Sequence, residues 1–461
     1  MNQLIRHGIS ANLRFVPELD PTFFPIGRYN RAFLSTAAKR VAIAVERTDG
    51  QIAAVHTRIH GTPDRTEADC YYIDRLVKTL LWMKGGYKIY TDDADTASFL
   101  RSLYCKGGKR EFDWDFMSSV FEQPFEIVLT HTVPESCDTP QAIGGHWDGC
   151  RIGLDAGGSD RKVSAVVDGK TVYSEEVVWF PKSHIDPDYH YNGIVAALQS
   201  AAAHMPRVDA VGVSSAGVYI NNRTMRASLF LQVPQEDFSA KVQDIYIRAI
   251  TDTFGEVPYR VINDGDVSAL AGAMCLRDTS VLGIAMGTSE AAGYVDEAGH
   301  LTGWLNELAF VPVDVSNSAM RDAWSQDIGC GVNYFSQESV IELATRAGIP
   351  WESDMSAAEK LKVVQKHMAE DDPRAVKVFQ SIGIYLGHTL AYYYELYVCR
   401  HVLLLGRVMS GKGGDLILAT CQKVLQGEYP ELNGKIALSL PDETFRRIGQ
   451  SATAASLPSL T

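Results

Sequence analysis

Residues 151–177 read RIGLDAGGSDRKVSAVVDGKTVYSEEV. The segment is a strand, a small-residue turn and a second strand, and a helical stretch near 193–204 and the strand VDAVGVSSAG (208–217) follow it. Strands alternating with helices argue for a sheet covered by helices, so the class is α/β. After Val281 a similar opening recurs, VLGIAMGTSEAAGYVDEAGHL (281–301), again two strands around a Gly/Ser/Thr turn. One architectural unit therefore reads as used twice.

The same alternation is present upstream in a weaker form. VAIAVERTDGQIAAVHTRI (41–59) reads as two strands joined at Thr48-Asp49-Gly50. A helix from about Ala68 to Lys84, a strand at 88–92, a helix near 94–104 and the apolar run FEIVLTH (125–131) follow. The turn-rich PESCDTPQAIGGHWDG (134–149) is the expected linker. Beyond about Gln337 the chain reads as mainly helical to Arg400, and VLLLG (402–406) then leads into a glycine-rich turn. The resulting division is an N-terminal α/β region at 1–149, a first domain at 150–275 and a second at 276–461.

A chain of 461 residues is long enough for roughly two to four domains, each with its own core. Apolar residues make up 46% and charged residues 21%, as in an ordinary globular protein. The 43 basic and 56 acidic residues leave a net charge of −13, which repels nucleic-acid and anionic membrane surfaces. No helix-turn-helix is read in the first 150 residues, so no nucleic-acid partner is expected. No run approaches the ~18–20 apolar residues of a membrane helix. The opening residues lack the pattern of a secretory signal, so the expected address is the cytoplasm. Eight scattered cysteines without a CxxC pair suggest reduced thiols.

Chemistry concentrates at three glycine turns. Asp155 followed by Gly157, Gly158 and Ser159 lets backbone amides approach phosphate oxygens and places a carboxylate nearby to organise Mg²⁺. Taken alone, the segment reads equally well as a tight hairpin. Gly287, Thr288 and Ser289 form the second such turn, and Gly406, Gly411 and Gly413 belong to the third. A P-loop and a dinucleotide fingerprint are both missing.

IGLDAGGSDRK, VINDGDVSALAGA, GIAMGTSEAAGY and VLLLGRVMSGKGGD stand in the order of the phosphate-1, connect, phosphate-2 and adenosine motifs of the sugar kinase, heat-shock ATPase and actin superfamily. Within it the chain most resembles the ROK group of bacterial sugar kinases over about residues 150–450. The resemblance implies two ribonuclease H-like (actin-like ATPase) domains flanking a cleft that holds ATP and a sugar, with the N-terminal α/β region as an addition. The family usually forms homodimers. It also implies that the Asn-Asp pair Asn263-Asp264 supplies the general base, Asp264, and that Asp155 holds Mg²⁺ through water. Phosphoryl transfer to a hydroxyl needs such a base, although an Asp at this position also caps helices.

Glu307, in GWLNELAF (303–310), matches the sugar-binding glutamate of the family's Gly-Glu-x-Gly-His segment, while Phe310 replaces its histidine. Ser215 and Asn222, in SSAGVYINNRTM (214–225), are further candidates for holding a polyol. The family's zinc segment corresponds to DIGCGVNYFSQES (327–339), which has one cysteine, Cys330, so no structural zinc is expected. His184, Asp186, Asp188 and His190 read as a solvated loop rather than a metal site. The sequence therefore suggests an ATP- and Mg²⁺-dependent carbohydrate kinase. The alternatives are a sugar or nucleotide sensor without turnover and a sugar-independent ATPase.

Overall fold

The computed structural model describes residues 2–352, 354–441 and 449–460. Contacts divide the chain into two units. One comprises Met1–Thr139, Ile284–Ala292 and Gly303–Leu440, and the other Pro140–Gly283, Gly293–Thr302 and Pro441–Thr461. This grouping differs from the division 1–149, 150–275 and 276–461, because the N-terminal stretch shares a unit with 303–440.

The second unit is built on a five-stranded sheet. Its order is Tyr259–Asn263, Ala210–Ser215, Cys150–Ala156, Asp160–Val167, Lys170–Val178. The first three strands run parallel and the last three form an antiparallel meander, which is the ribonuclease H-like arrangement. Every residue of Cys150–Ala156 is buried, as expected for a central strand covered on both faces. Helices Pro187–Ala202 and Ile245–Phe254 pack on one face, through Ile194, Leu198, Ile245 and Ile250 against Ile152, Leu154 and Val213.

The C-terminal helix Gln450–Ala455 also lies against these strands. Its approach requires glycine beneath it. A β-carbon at Gly153 would lie 1.7 Å from the Ser451 carbonyl oxygen, and one at Gly212 1.7 Å from that of Ala454.

The first unit contains the hairpin Lys39–Glu46/Ile52–Ile59, extended by Lys88–Thr91 and Glu126–Leu129. Its turn lies at Thr48–Gly50, as the sequence suggests, with Asp49 left-handed at φ 61°. Helix Thr66–Lys84 is buried along most of its length. The later sequence is helical at Gln337–Arg346, Ala357–Ala369 and Pro373–Tyr397, before the strand His401–Leu405. Helix Pro373–Tyr397 meets helix Gly411–Glu428 at Gly383 and Gly387, where β-carbons would fall 2.6 Å from Thr420 Cβ and 2.5 Å from Val424 Cβ. No helix among the described residues is long and apolar enough to cross a membrane.

Candidate active site

The C-terminal ends of adjacent parallel strands are where open α/β sheets place ligands, because the strands stop there and helices and loops diverge. In the second unit this edge carries Asp155, Ser214 and Asn263-Asp264. The register sets Ser214 opposite Asp155 and Ser215 opposite Asn263. Asp155 is only 7% exposed, and its carboxylate accepts a hydrogen bond of 2.8 Å from Ser214 Oγ. Burial pushes this carboxyl up to about 7, the Ser214 bond opposes the shift, and the neighbouring Asp264 adds to it.

Asp264 begins helix Asp264–Leu276. Capping falls mainly to Asn263, whose Oδ1 accepts from Gly265 N–H at 2.7 Å while its Nδ2 donates to the Gly217 carbonyl at 2.7 Å. Asp264 Oδ1 shares that Gly265 donor at 3.0 Å. Besides Gly265, the Asp264 carboxylate takes a hydrogen bond from its own backbone N–H. Burial raises this carboxyl as well, against the Gly265 hydrogen bond. The edge thus brings together two acids of elevated proton affinity, which favours proton exchange and hard-cation binding.

The adjacent turn is a hairpin and also an amide cradle, since the two readings of its sequence are compatible. Gly157 N–H donates to the Asp160 carbonyl at 3.0 Å and closes the turn. Gly158 and Ser159 N–H have no acceptor among the described residues. Two successive free amides form a concavity suited to an anionic oxygen. In the first unit the second turn repeats the device. Gly287 N–H donates to Ser289 O at 2.9 Å, Thr288 and Ser289 N–H lack acceptors among the described residues, and both residues are exposed.

The third group of glycines divides by role. A β-carbon at Gly406 would lie 2.2 Å from the Met286 carbonyl oxygen, and one at Gly413 2.6 Å from the Phe379 ring, so both serve close packing. Gly411 is left-handed with open space around it.

Glu307 is half-buried in the first unit and is held by the N-terminal stretch. Asn306 and Glu307 N–H donate to the carbonyls of Met83 and Trp82, each at 3.0 Å. Phe310 stacks on Trp82 with centroids 4.2 Å apart, so it is part of an aromatic cluster. Glu290, one residue past the second turn, is buried, and among the described residues neither of its carboxyl oxygens has a hydrogen-bond partner. Burial and then Glu307 push it well above the usual carboxylate range. No motif singles this residue out.

Ser215 and Asn222 make structural bonds. Ser215 is fully buried, 2.8 Å from Tyr246 OH, and Asn222 Oδ1 accepts from Val261 N–H at 2.9 Å. The loop at 184–190 is less solvated than its composition suggests. Asp186 caps helix Pro187–Ala202, and the buried His190 ring lies 2.9 Å from the Pro181 carbonyl oxygen and 3.2 Å from that of Asp186. Cys330 is buried beside Asp327 in the first unit.

No protein-family model and no curated protein matches the sequence. Among solved structures, the ROK hexokinase from Thermus thermophilus is similar at 19% identity and a TM-score of 0.52, over 66% of this chain and 96% of that one. A ROK-family transcriptional regulator, a homolog of the E. coli MLC protein, is similar at 17% identity and a TM-score of 0.53, over 67% of this chain and 77% of that one. One is named an enzyme and the other a regulator, so the likeness speaks for architecture. Over about two-thirds of its length, the chain has the ROK-type sugar kinase fold.

Proposed function

We propose that the protein is an ATP-dependent carbohydrate kinase that transfers the γ-phosphoryl group of MgATP to a sugar hydroxyl. The observation that carries this reading is the convergence of Asp155, Asp264 and the free amides of Gly158 and Ser159 at one sheet edge. In the proposed reaction Asp264 takes the proton of the acceptor hydroxyl. The hydroxyl oxygen then bonds to the γ-phosphorus, and the bond to the β,γ-bridging oxygen breaks, releasing ADP. Burial that raises the Asp264 carboxyl makes it a better proton acceptor at neutral pH.

In this reading each unit offers free turn amides to phosphate, Gly158 and Ser159 in the second and Thr288 and Ser289 in the first, and Gly411 supplies open backbone beside the adenosine segment. Asn263, beside the base, contacts the sugar in this reading. The hard carboxylate oxygens of Asp155, with Ser214 Oγ beside them, fit Mg²⁺ better than a softer metal. Bound there, Mg²⁺ would neutralise phosphate charge.

A sugar- or nucleotide-binding sensor is the second reading, favoured by the stacking of Phe310 on Trp82 where the family keeps a polar ring. An ADP-release screen at saturating MgATP across hexoses, amino sugars, ketoses and polyols separates the two. Sugar-dependent ADP release supports the kinase. Ligand binding without ADP release across the panel supports the sensor.

A further inference from the structure

Immediately beyond the edge strand Lys170–Val178, the chain folds back over the Gly157–Ser159 turn. Trp179, buried, ties the two together: its indole Nε1 donates to the Gly157 carbonyl at 2.8 Å and its backbone N–H to Ser159 O at 3.2 Å. The next residues, Pro181–Ser183, form a short 3₁₀ turn. Several bonds hold that turn in place. Phe180 N–H donates to Tyr189 OH at 3.0 Å, Ser183 Oγ donates to Phe180 O at 3.0 Å, and the buried His190 ring meets the Pro181 carbonyl.

The backbone beneath Lys182 is thus fixed, while its side chain is exposed and makes no hydrogen bond or ion pair among the described residues. A β-carbon built on Gly158 would lie 2.9 Å from Lys182 Cε and 3.2 Å from Nζ. The nearby acids are otherwise engaged. Asp160 accepts from Ser159 Oγ at 2.9 Å and lies 3.5 Å from Lys162 Nζ, and Asp155 is bound by Ser214.

We infer that Lys182 is a polyphosphate-binding residue whose ammonium, together with the free amides of Gly158 and Ser159, grips the terminal phosphates of a nucleoside triphosphate. The inference rests on the reading of Gly157–Ser159 as a phosphate turn. A flexible ammonium on a rigid backbone, beside unsatisfied amides and without a carboxylate partner, is suited to a mobile anionic group. The glycine at 158 makes room for it, since any larger side chain would displace the lysine.

Calorimetric titration of the full chain with Mg-AMPPNP, sodium tripolyphosphate and adenosine tests this. Lys182→Gln should weaken Mg-AMPPNP and tripolyphosphate about tenfold, as expected for one lost charge-assisted contact. Adenosine affinity should change less than about twofold, and Lys182→Arg should restore most of the loss. Lys170→Gln, on the exposed edge strand, controls for a general field effect. Unchanged tripolyphosphate affinity in Lys182→Gln, or an equal loss in Lys170→Gln, overturns the assignment while leaving the nucleotide reading intact. A wild-type protein that binds neither Mg-AMPPNP nor tripolyphosphate overturns both.

Discussion

Replacing Asp155 with Asn should make the protein more stable and less able to bind magnesium nucleotide. Folding holds the Asp155 carboxyl near 7, against about 4 in an unfolded chain. The sign follows from proton uptake. Below pH 4 both states are protonated and folding carries no penalty from this group. Between about pH 4 and 7 the unfolded chain loses its proton while the folded one keeps it, so stability falls as pH rises. Above 7 the penalty is fully developed, and three pH units correspond to about 4 kcal/mol. Asparagine cannot ionise, yet its Oδ1 can keep the Ser214 hydrogen bond.

Denaturant unfolding at several pH values should therefore show Asp155→Asn gaining on wild type by about 2–3 kcal/mol between pH 5 and pH 8. Mg-AMPPNP should narrow the gap, because bound cation favours the carboxylate. A stability difference that does not change with pH, or a variant less stable at pH 8, would refute the reasoning.

Two further substitutions test the frame. In the first unit Asp327 receives Arg75 at 2.9 and 3.3 Å, Arg110 at 2.7 Å and Lys78 at 3.3 Å, all buried. Asp327→Asn should cost about 3–5 kcal/mol and lower the melting temperature by about 10 °C; a melting temperature within a degree of wild type would contradict this. In the second unit Gly153→Ala should cost about 2–3 kcal/mol by driving a methyl into the Ser451 carbonyl, read as a lower denaturant midpoint; an unchanged midpoint would show that the helix moves freely.

Local patterns carried much of this architecture. The hairpins at 39–59 and 150–167 rest on apolar strands separated by Asp-Gly or Gly-Gly, and neighbours in sequence decide such turns. The edge placement of Asp155 and Asn263-Asp264 is legible for the same reason, since each closes an apolar strand. What sequence spacing does not carry is long-range. Helix Glu111–Phe121 goes unread because acids and Ser interrupt its apolar face. The grouping of the N-terminal stretch with 303–440 depends on partners such as Arg75 and Asp327, whose positions are far apart in sequence. Lys182 has no motif and is recognisable only once the chain has folded back over Gly158. Ser215 and Asn222 look like polyol ligands by type, but the structure engages them with Tyr246 and Val261.

The central claim is that the carboxylate at 264 accepts the acceptor hydroxyl's proton. Asp264→Asn leaves Asn263 to cap the helix, so fold and Mg-AMPPNP affinity should stay within about twofold of wild type. ADP release with the sugar found by the panel should fall by about a hundredfold or more. Near-normal ADP release from a folded, nucleotide-binding Asp264→Asn protein would contradict the account.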